Sequence, residues 1–334
     1  MLTAVLSAPV LTPTSARSAA QSIAAAPTAS VIICAYTPRR WVALLAAVAS
    51  VERQTQLALE TIVVIDHSPE LLERARATLT GARVIENEGE HGLSAARNTG
   101  LKISRAEIVA FLDDDAIAEE KWLEELCRAY KDPRVIGVGG VARPRWEADK
   151  APPWLPQEFY WAIGCSYRGL PTRAEPIRNP IGATMSFRRT VFDQVGGFRN
   201  GLGRVGRTPL GCEETELSIR ARQAYPGGVV LHVPAARVEH LVPAERASWR
   251  YFRSRCWAEG LSKAIVTDEV GPSDGLSSEW TYTLKTLPTG ILRGLLDSAR
   301  GDLTGLQRSS AIVAGLFITL AGYLRARAAR AIAS

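Results

Sequence analysis

The sequence predicts an α/β protein with a mainly parallel central sheet and helices packed on both faces. Three observations carry that prediction. Short, continuously apolar segments alternate with stretches whose apolar residues recur at helical spacing. The alternation runs from Ser30 to Val141 with no internal repeat, as in a sheet built from strand–helix–strand units. The apolar segments also stop abruptly at polar residues: Tyr36, Asp66 and the triplet Asp113-Asp114-Asp115. Ligands of such sheets sit beyond the carboxyl ends of the strands, so these stops are the first candidates for function.

Each element has a local reason. Ser30 to Tyr36 (SVIICAY) reads as a buried strand, and Thr37-Pro38 then supplies an N-cap and a first-turn proline. Trp41, Leu44, Leu45 and Val48 put one apolar face on the next helix. Thr61 to Ile65 (TIVVI) is a second buried strand, and Ser68-Pro69 starts another helix. Arg83 to Glu86 reads as a short strand, Leu93 to Ile103 as a helix and Glu107 to Leu112 as a fourth strand. Trp122, Leu123, Leu126 and Tyr130 line the next helix, and Val135 to Val141 is a fifth strand.

The second half reads differently. Residues 142–181 are rich in Pro, Trp and Arg with little periodicity, and are expected to form loops over an open edge of the sheet. Regular signals resume at Ala183 to Phe187 and Thr190 to Val195, then as a helix over Glu213 to Tyr225 and a strand over Gly228 to Val233. Ser248 to Val266 reads as a long helix, with further apolar segments near Leu284–Leu296 and Ala311–Leu324. The last is 14 residues long by this reading, short of the roughly 20 needed to span a bilayer. Arg325, Arg327 and Arg330 come directly after it, so both interfacial attachment to anionic lipid and a core or dimer helix are open. Arg246, Arg250, Arg253, Arg255 and Lys263 crowd one helical region, where they either meet a phosphorylated or lipid-linked acceptor or form a solvated face.

Composition narrows the class. The chain of 334 residues is 46% hydrophobic and 22% charged, as in ordinary globular proteins. Its net charge of +6 favours anionic partners without choosing among them. The five cysteines are scattered and lack CxxC spacing, which argues against a zinc ribbon or disulfide framework and for a reducing compartment. The first ~30 residues are rich in Ala, Ser, Thr and Pro and carry no basic segment ahead of their weak apolar run, so a secretory signal is not expected.

The acidic triplet allows two readings. Along a strand, Asp113 and Asp115 point one way and Asp114 the other. Like charges crowded on one face raise each other's pKa, and a divalent cation relieves the conflict; hard carboxylate oxygens suit Mg²⁺ or Mn²⁺ beside substrate phosphates. The alternative is an acidic turn capping the next helix. Alignment with Tyr36 and Asp66 at strand ends favours the metal–diphosphate reading.

With these pieces in place, the chain resembles the family 2 glycosyltransferases. The segments that carry the resemblance run in order from about residue 30 to about 240: SVIICAYTPRR, ETIVVIDHSP, EHGLSAARNTGL, EIVAFLDDDA, NPIGATMSFRRTVFDQVGGF, and GCEETELSIR and then VEH. The resemblance implies the GT-A nucleotide-sugar-binding fold with a C-terminal helical extension. It implies that Ala35, Tyr36 and Arg39 hold the base and ribose, that Asp66 accepts from the base, and that Gly92, Arg97 and Asn98 flank base and diphosphate. Asp113 and Asp114 fall in the nucleotide-sugar set, Asp113 as the first Asp of the DxD motif. Asp115 and His240 correspond to metal ligands for Mn²⁺ or Mg²⁺. Gly182, Ala183 and Trp154 fall on the acceptor side. Glu214 falls at the catalytic base, although the motif commonly written Glu-Asp reads Glu213-Glu214 here, which leaves either carboxylate, with Glu216 a weaker third.

The expected activity is inverting, metal-dependent transfer from a UDP- or dTDP-sugar to a glycan or lipid-linked acceptor of cell-surface polysaccharide or glycolipid synthesis. The expected setting is cytoplasmic, with peripheral contact to the membrane and no nucleic-acid partner. The expected organisation is a loosely attached N-terminus over 1–29, a catalytic domain over 30–245 and a helical region over 246–334. Within the catalytic domain, 30–141 is the nucleotide-binding half and 142–245 the acceptor-side half. A nucleotidyltransferase on a similar sheet is the enzymatic alternative, but AYTPRR after the first strand lacks the expected glycines. A non-catalytic lipid- or nucleic-acid-binding protein is the other, and the carboxylates at the strand ends oppose nucleic acid there. Gly201-Leu-Gly203-Arg-Val-Gly206 fits GxGxxG, but no strand precedes it and Thr208-Pro209 comes after, so a loop is expected rather than a dinucleotide site.

Overall fold

The computed structural model describes residues 26–148, 150–203, 210–271 and 281–333. Among them, nine strands form one sheet in the order β3-β2-β1-β4-β8-β6-β9-β5, with the short β7 paired to β9. The strands are β1 Ala29–Ala35, β2 Glu60–Ile65, β3 Arg83–Glu86, β4 Ile108–Asp113, β5 Ala116–Ala118, β6 Val135–Trp146, β7 Glu175–Pro176, β8 Thr184–Arg188 and β9 Val229–Val242. The helices are α1 Trp41–Glu52, α2 Pro69–Thr78, α3 Leu93–Ile103, α4 Trp122–Ala129, α5 Arg189–Val195, α6 Glu213–Ala224 and α7 Trp249–Val270. The last two are α8 Leu287–Ala299 and α9 Thr304–Ala333.

The first half matches the strand–helix alternation. β1 pairs in parallel with β2 and β4, and β2 with β3. Ile32, Ile33, Ile62, Val63, Val109 and Phe111 are fully buried between the covering helices, each contributing about 1.5–3 kcal/mol by leaving water. Because these strands run together, their carboxyl ends bring Tyr36, Asp66 and Asp113 to one edge of the sheet. Asp66 caps no helix: Ser68 precedes α2, and the Asp66 carboxylate turns instead to Asn87 and the Gly92 N–H.

The second half makes the sheet mixed. β8 lies antiparallel between β4 and β6, and β5 and β7 pair antiparallel with β9. Antiparallel neighbours need no helical crossover, so the alternation that marks parallel strands is missing from this part of the sequence. Residues 142–181 are not all loop, and β7 among them pairs with the edge of β9 that β5 leaves free. β6 continues to Trp146 as an interior strand, and the segment then supplies a 3₁₀ stretch over Gln157–Ile163 and β7.

β9 runs 14 residues, far beyond the expected Val233. Its pairing with β6 shifts register between Gly139 and Val141, opposite the stretch between His232 and Arg237. That irregularity hides the strand from a period-two reading. It also lets β9 continue beside β5, with His240 directly opposite Ala116.

The C-terminal helices pack on one another and against the 3₁₀ stretch. α9 is 30 residues long, not 14: it begins at Thr304, ahead of the apolar stretch, and its Ala- and Arg-rich tail continues the helix past Leu324. The segment Thr304–Ala331 is long and apolar enough, by length and composition, to cross a membrane. Glycines permit the close approach: a Cβ on Gly322 would lie 3.3 Å from the Trp257 carbonyl carbon. Arg327 and Arg330 both pair with Asp268 on α7, so part of the basic tail is used within the chain. The expected loose N-terminus lies outside the described residues up to residue 25. Gly201 to Gly203 form a turn, and the rest of the GxGxxG stretch lies outside the described residues.

Candidate active site

A cavity of about 650 Å³ opens beyond the carboxyl ends of β1, β2 and β4. Its walls include Cys34, Ala35, Tyr36, Asp66, Arg97, Asp113, Asp114 and Asp115 from the first half, and Gly182, Ala183, Glu213, Glu214 and His240 from the second. The strand-end residues and the glutamates some hundred positions later therefore share one space.

Asp113 ends β4, a turn comes next, and β5 begins at Ala116. His240 Nε2 lies 3.1 Å from Asp115 Oδ1 and 3.9 Å from Asp113 Oδ2. The ligand atoms of Asp113, Asp115 and His240 all fall within 4.8 Å of one another. Two carboxylates and an imidazole in that compass fit a divalent cation that accepts oxygen and nitrogen. Asp115 Oδ2, although near cations, makes no aligned hydrogen bond, as expected of an atom kept for another partner.

Protonation reflects the crowding. Burial alone would raise the Asp115 carboxyl, but the charge and hydrogen bond of His240, with Arg246 and Arg40, hold it well below the usual carboxylate range. Burial works against a charged His240, yet Asp115 and Cys165 push the imidazole up to about 10. Asp114 turns the other way and pairs with Arg40 at 2.8 Å. Burial raises its pKa to about 6 against the pull of Arg40. Gly164 makes room for the His240 ring: its φ is +83°, and a Cβ there would sit 3.0 Å from the imidazole Cε1.

Asp66 lines the cavity at the end of β2. Its Oδ1 accepts from Asn87 Nδ2 at 2.7 Å and its Oδ2 from the Gly92 N–H at 3.0 Å. Gly92, with φ at +132°, is the N-cap residue just before α3. His67 and His91 stack beside Asp66 with ring centroids 4.0 Å apart. Tyr36 is exposed, with the Arg40 guanidinium 5.4 Å over its ring.

The glutamate pair divides by partner. Glu213 is buried and accepts from Arg97 Nη1 at 2.7 Å. Arg97 is itself only 2% exposed and also reaches Asp113 at 3.4 Å and the Gly182 carbonyl at 3.3 Å. Glu214 is partly exposed at the cavity wall, and burial, then Glu213, push its carboxyl up to about 8. Glu216 faces elsewhere, held by Arg220 at 2.6 Å and Arg199 at 2.9 Å.

Other expected residues are placed differently. Arg39 is exposed and outside the cavity lining, while its neighbour Arg40 enters. Asn98 lies outside the lining too, fixing a loop by donating to the Phe198 carbonyl at 2.7 Å and accepting from its N–H at 2.8 Å. Trp154 packs edge-on against Trp249 and Phe252, away from the lining. Residues not anticipated include Arg40, Gly164 and Cys165. The pair of arginines after Thr37-Pro38 was the only sequence signal for the first, and the other two carry none.

Comparison with known proteins agrees with this architecture. The profile of glycosyl transferase family 2 matches residues 30–196. The glucosyl-dolichyl phosphate glucuronosyltransferase of Haloferax volcanii is 33% identical over 241 residues, covering 71% of this chain and 76% of that protein. Polypeptide N-acetylgalactosaminyltransferase 5 of Caenorhabditis elegans is 28% identical over 239 residues, covering 64% of this chain but 37% of its own length. Among solved structures, the mannosyltransferase PcManGT from Pyrobaculum calidifontis, in complex with GDP-Man and Mn²⁺, shares the fold. It superposes with a TM-score of 0.53 at 17% identity, covering 88% of this chain and 87% of that one.

Proposed function

The chain belongs to the family 2 glycosyltransferases, and from that premise we propose that it transfers a sugar from a nucleoside-diphosphate sugar to an acceptor hydroxyl by single displacement with inversion. The observation that carries the proposal is the placement of Glu214 in the same cavity as Asp113, Asp115 and His240. One carboxylate can take a proton while the cluster opposite meets the leaving diphosphate.

Glu214 is the base. Its carboxyl, pushed up to about 8, accepts a proton more readily than an ordinary glutamate. As the acceptor oxygen attacks the anomeric carbon, its proton passes to Glu214, and the bond to the nucleoside diphosphate breaks with the electron pair on the departing oxygen. Glu213 stays bound to Arg97 and cannot serve without breaking that pair. Asp113, Asp115 and His240 would hold the divalent cation, Mn²⁺ or Mg²⁺, which when bound neutralises charge on the diphosphate. Tyr36 and Asp66 line the base side, and a carboxylate there suits the imide N–H of uracil or thymine, favouring a UDP- or dTDP-sugar.

The acceptor is a glycan or lipid-linked sugar of cell-surface polysaccharide or glycolipid synthesis. The dolichyl phosphate in the name of the Haloferax relative supports the lipid-linked form. The protein works on the cytoplasmic side, touching the membrane through the exposed apolar face of α8 and α9. Functional organisation tracks the halves of the sheet, with nucleotide on 30–141, acceptor on 142–245, and the helices beyond 246 at the membrane.

The test is Glu214→Gln. The amide cannot accept the proton, so transfer should fall about 10²–10⁴-fold while donor binding stays. Full turnover by this variant removes Glu214 from the role.

A further inference from the structure

Two of the chain's four histidines take no part in the proposed chemistry, and the fold brings them together. His67 follows the strand-end Asp66, and His91 precedes Gly92, the N-cap of α3. Both are exposed at the cavity wall, yet both turn a ring nitrogen toward the buried Asp66 carboxylate. His67 Nδ1 lies 2.9 Å from Asp66 Oδ1, and His91 Nδ1 lies 3.7 Å from Asp66 Oδ2. The ligand atoms of all three residues fall within 4.8 Å of one another. Bonds of about 2.0–2.2 Å to one tetrahedral zinc would set neighbouring ligand atoms about 3.3 Å apart, and the two observed separations fall on either side of that value.

The surrounding backbone and hydrogen bonds hold this arrangement in place. His67 has φ at +51°, one of two non-glycine residues in the left-handed region among the described residues. The loop that carries His91 is tied down by a buried amide. Asn87 Nδ2 donates to Asp66 Oδ1 at 2.7 Å and to the Glu90 carbonyl at 2.9 Å. Asn87 Oδ1 accepts from the Gly89 N–H at 3.0 Å and from Thr99 Oγ1 on α3 at 2.8 Å. His91 is thereby stacked on His67 while Asp66 is already oriented. The Asp66 oxygens use one lone pair each on Asn87 and the Gly92 N–H, and each keeps another.

The donor set differs from that of the acidic turn. Asp113, Asp115 and His240 offer two carboxylates and one imidazole, whereas Asp66, His67 and His91 offer two imidazoles and one carboxylate. Imidazole-rich sets suit zinc, copper and nickel over the oxygen-seeking Mg²⁺. Three protein ligands beside open solvent also match a zinc site that keeps one position exchangeable, not a closed structural one.

We propose that Asp66, His67 and His91 form a second divalent-metal site, of zinc class, and that metal bound there shuts nucleotide out of the base end of the cavity. The exclusion rests on the reading of Asp66 as acceptor for the base; the metal site itself does not. A cation at the histidines takes the lone pairs of Asp66 that a base N–H would use. Zinc is then a reversible inhibitor, and nucleotide weakens zinc by the same factor as zinc weakens nucleotide.

Zn²⁺ alone, titrated calorimetrically into the full chain, is expected to fill two sites. His91→Gln and His67→Asn should each weaken one of them at least about tenfold, since losing even a group that only orients a metal ligand costs about 10–100-fold. Asn at position 67 keeps a side chain that tolerates the left-handed backbone. Asp115→Ala should weaken the other site. Unchanged far-ultraviolet circular dichroism reports that the variants are folded. Zinc binding that is lost only in Asp115→Ala, with both histidine variants binding as the parent does, overturns the site. A second titration uses the chain saturated with Mn²⁺ and whichever of UDP, dTDP or GDP it binds. Added Zn²⁺ should lower nucleotide affinity several-fold more in the parent than in His91→Gln. An equal loss in both assigns the inhibition to the acidic cluster and overturns the exclusion. Failure of the parent to bind any nucleotide counts against the glycosyltransferase reading, and against the exclusion with it, while the zinc titration still decides the metal site.

Discussion

Arg97 Nη1 and Glu213 Oε1 meet at 2.7 Å across 116 residues of sequence, joining α3 of the nucleotide side to the first turn of α6. Both groups are buried, and the Arg97 guanidinium sits 5.3 Å over the Phe198 ring. Burial disfavours the charged guanidinium, but Glu213 and Asp113 more than restore it. The pair therefore fixes the turn on which Glu214 stands. Removing one partner leaves a buried charge uncompensated.

Arg97→Met is expected to destabilise the fold by about 3–5 kcal/mol, the range for breaking a buried pair. Urea unfolding measures it. The double variant Arg97→Met, Glu213→Leu should recover part of the loss, because no charge is then left alone. A single variant as stable as the parent would show the pair to be dispensable.

The raised pKa of Glu214 sets a pH dependence. As the proposed base, Glu214 would work only when deprotonated, and burial, then Glu213, push its carboxyl up to about 8, above the usual glutamate range. The rate constant kcat/KM should therefore rise with pH, by about tenfold per unit below 8, and level off above it. A profile already flat from pH 6 would assign the proton transfer to another group.

The proposed membrane contact would use one face of α9. Val313, Phe317, Leu320 and Leu324 are exposed on α9 and recur at helical spacing, while Ile312 and Gly315 face inward. Deleting the helix would also remove Leu316 and Thr319 from the cavity wall, so point changes are cleaner. Phe317→Glu with Leu320→Glu should reduce flotation with anionic liposomes at least several-fold, since each charge opposes burial among acyl chains. Undiminished flotation with activity intact would leave α9 with a packing role only.

The sequence made the strand ends and the acidic turn readable because parallel strands leave a continuous apolar signature and stop at their ligand. It placed Asp115 and Glu214 in one site only through the order of family segments, since nothing local says that α6 returns to β4. Arg40 and Arg39 were indistinguishable in the string; which one enters depends on the short 3₁₀ turn over Pro38–Arg40. His240 was readable as a residue but not as part of a 14-residue strand, because the register shift near Gly139 breaks the alternation. Trp154, expected on the acceptor side, packs edge-on against Trp249 and Phe252 outside the cavity lining, an aromatic contact that the sequence string does not reveal. The length of α9 was underestimated at both ends: the polar turn from Thr304 to Ser310 interrupts the apolar run, and the arginines were read as an end although Ala and Arg are both strong helix formers.

The strand-end cluster is expected to bind a nucleotide-sugar through a divalent cation. Calorimetric titration of UDP-, dTDP- and GDP-sugars, with and without Mn²⁺, tests it most directly when run on the parent chain and on Asp115→Ala. One nucleotide class should bind the parent only with Mn²⁺, and that binding should be lost in the variant. Binding that ignores Mn²⁺, or that survives Asp115→Ala unchanged, would contradict it.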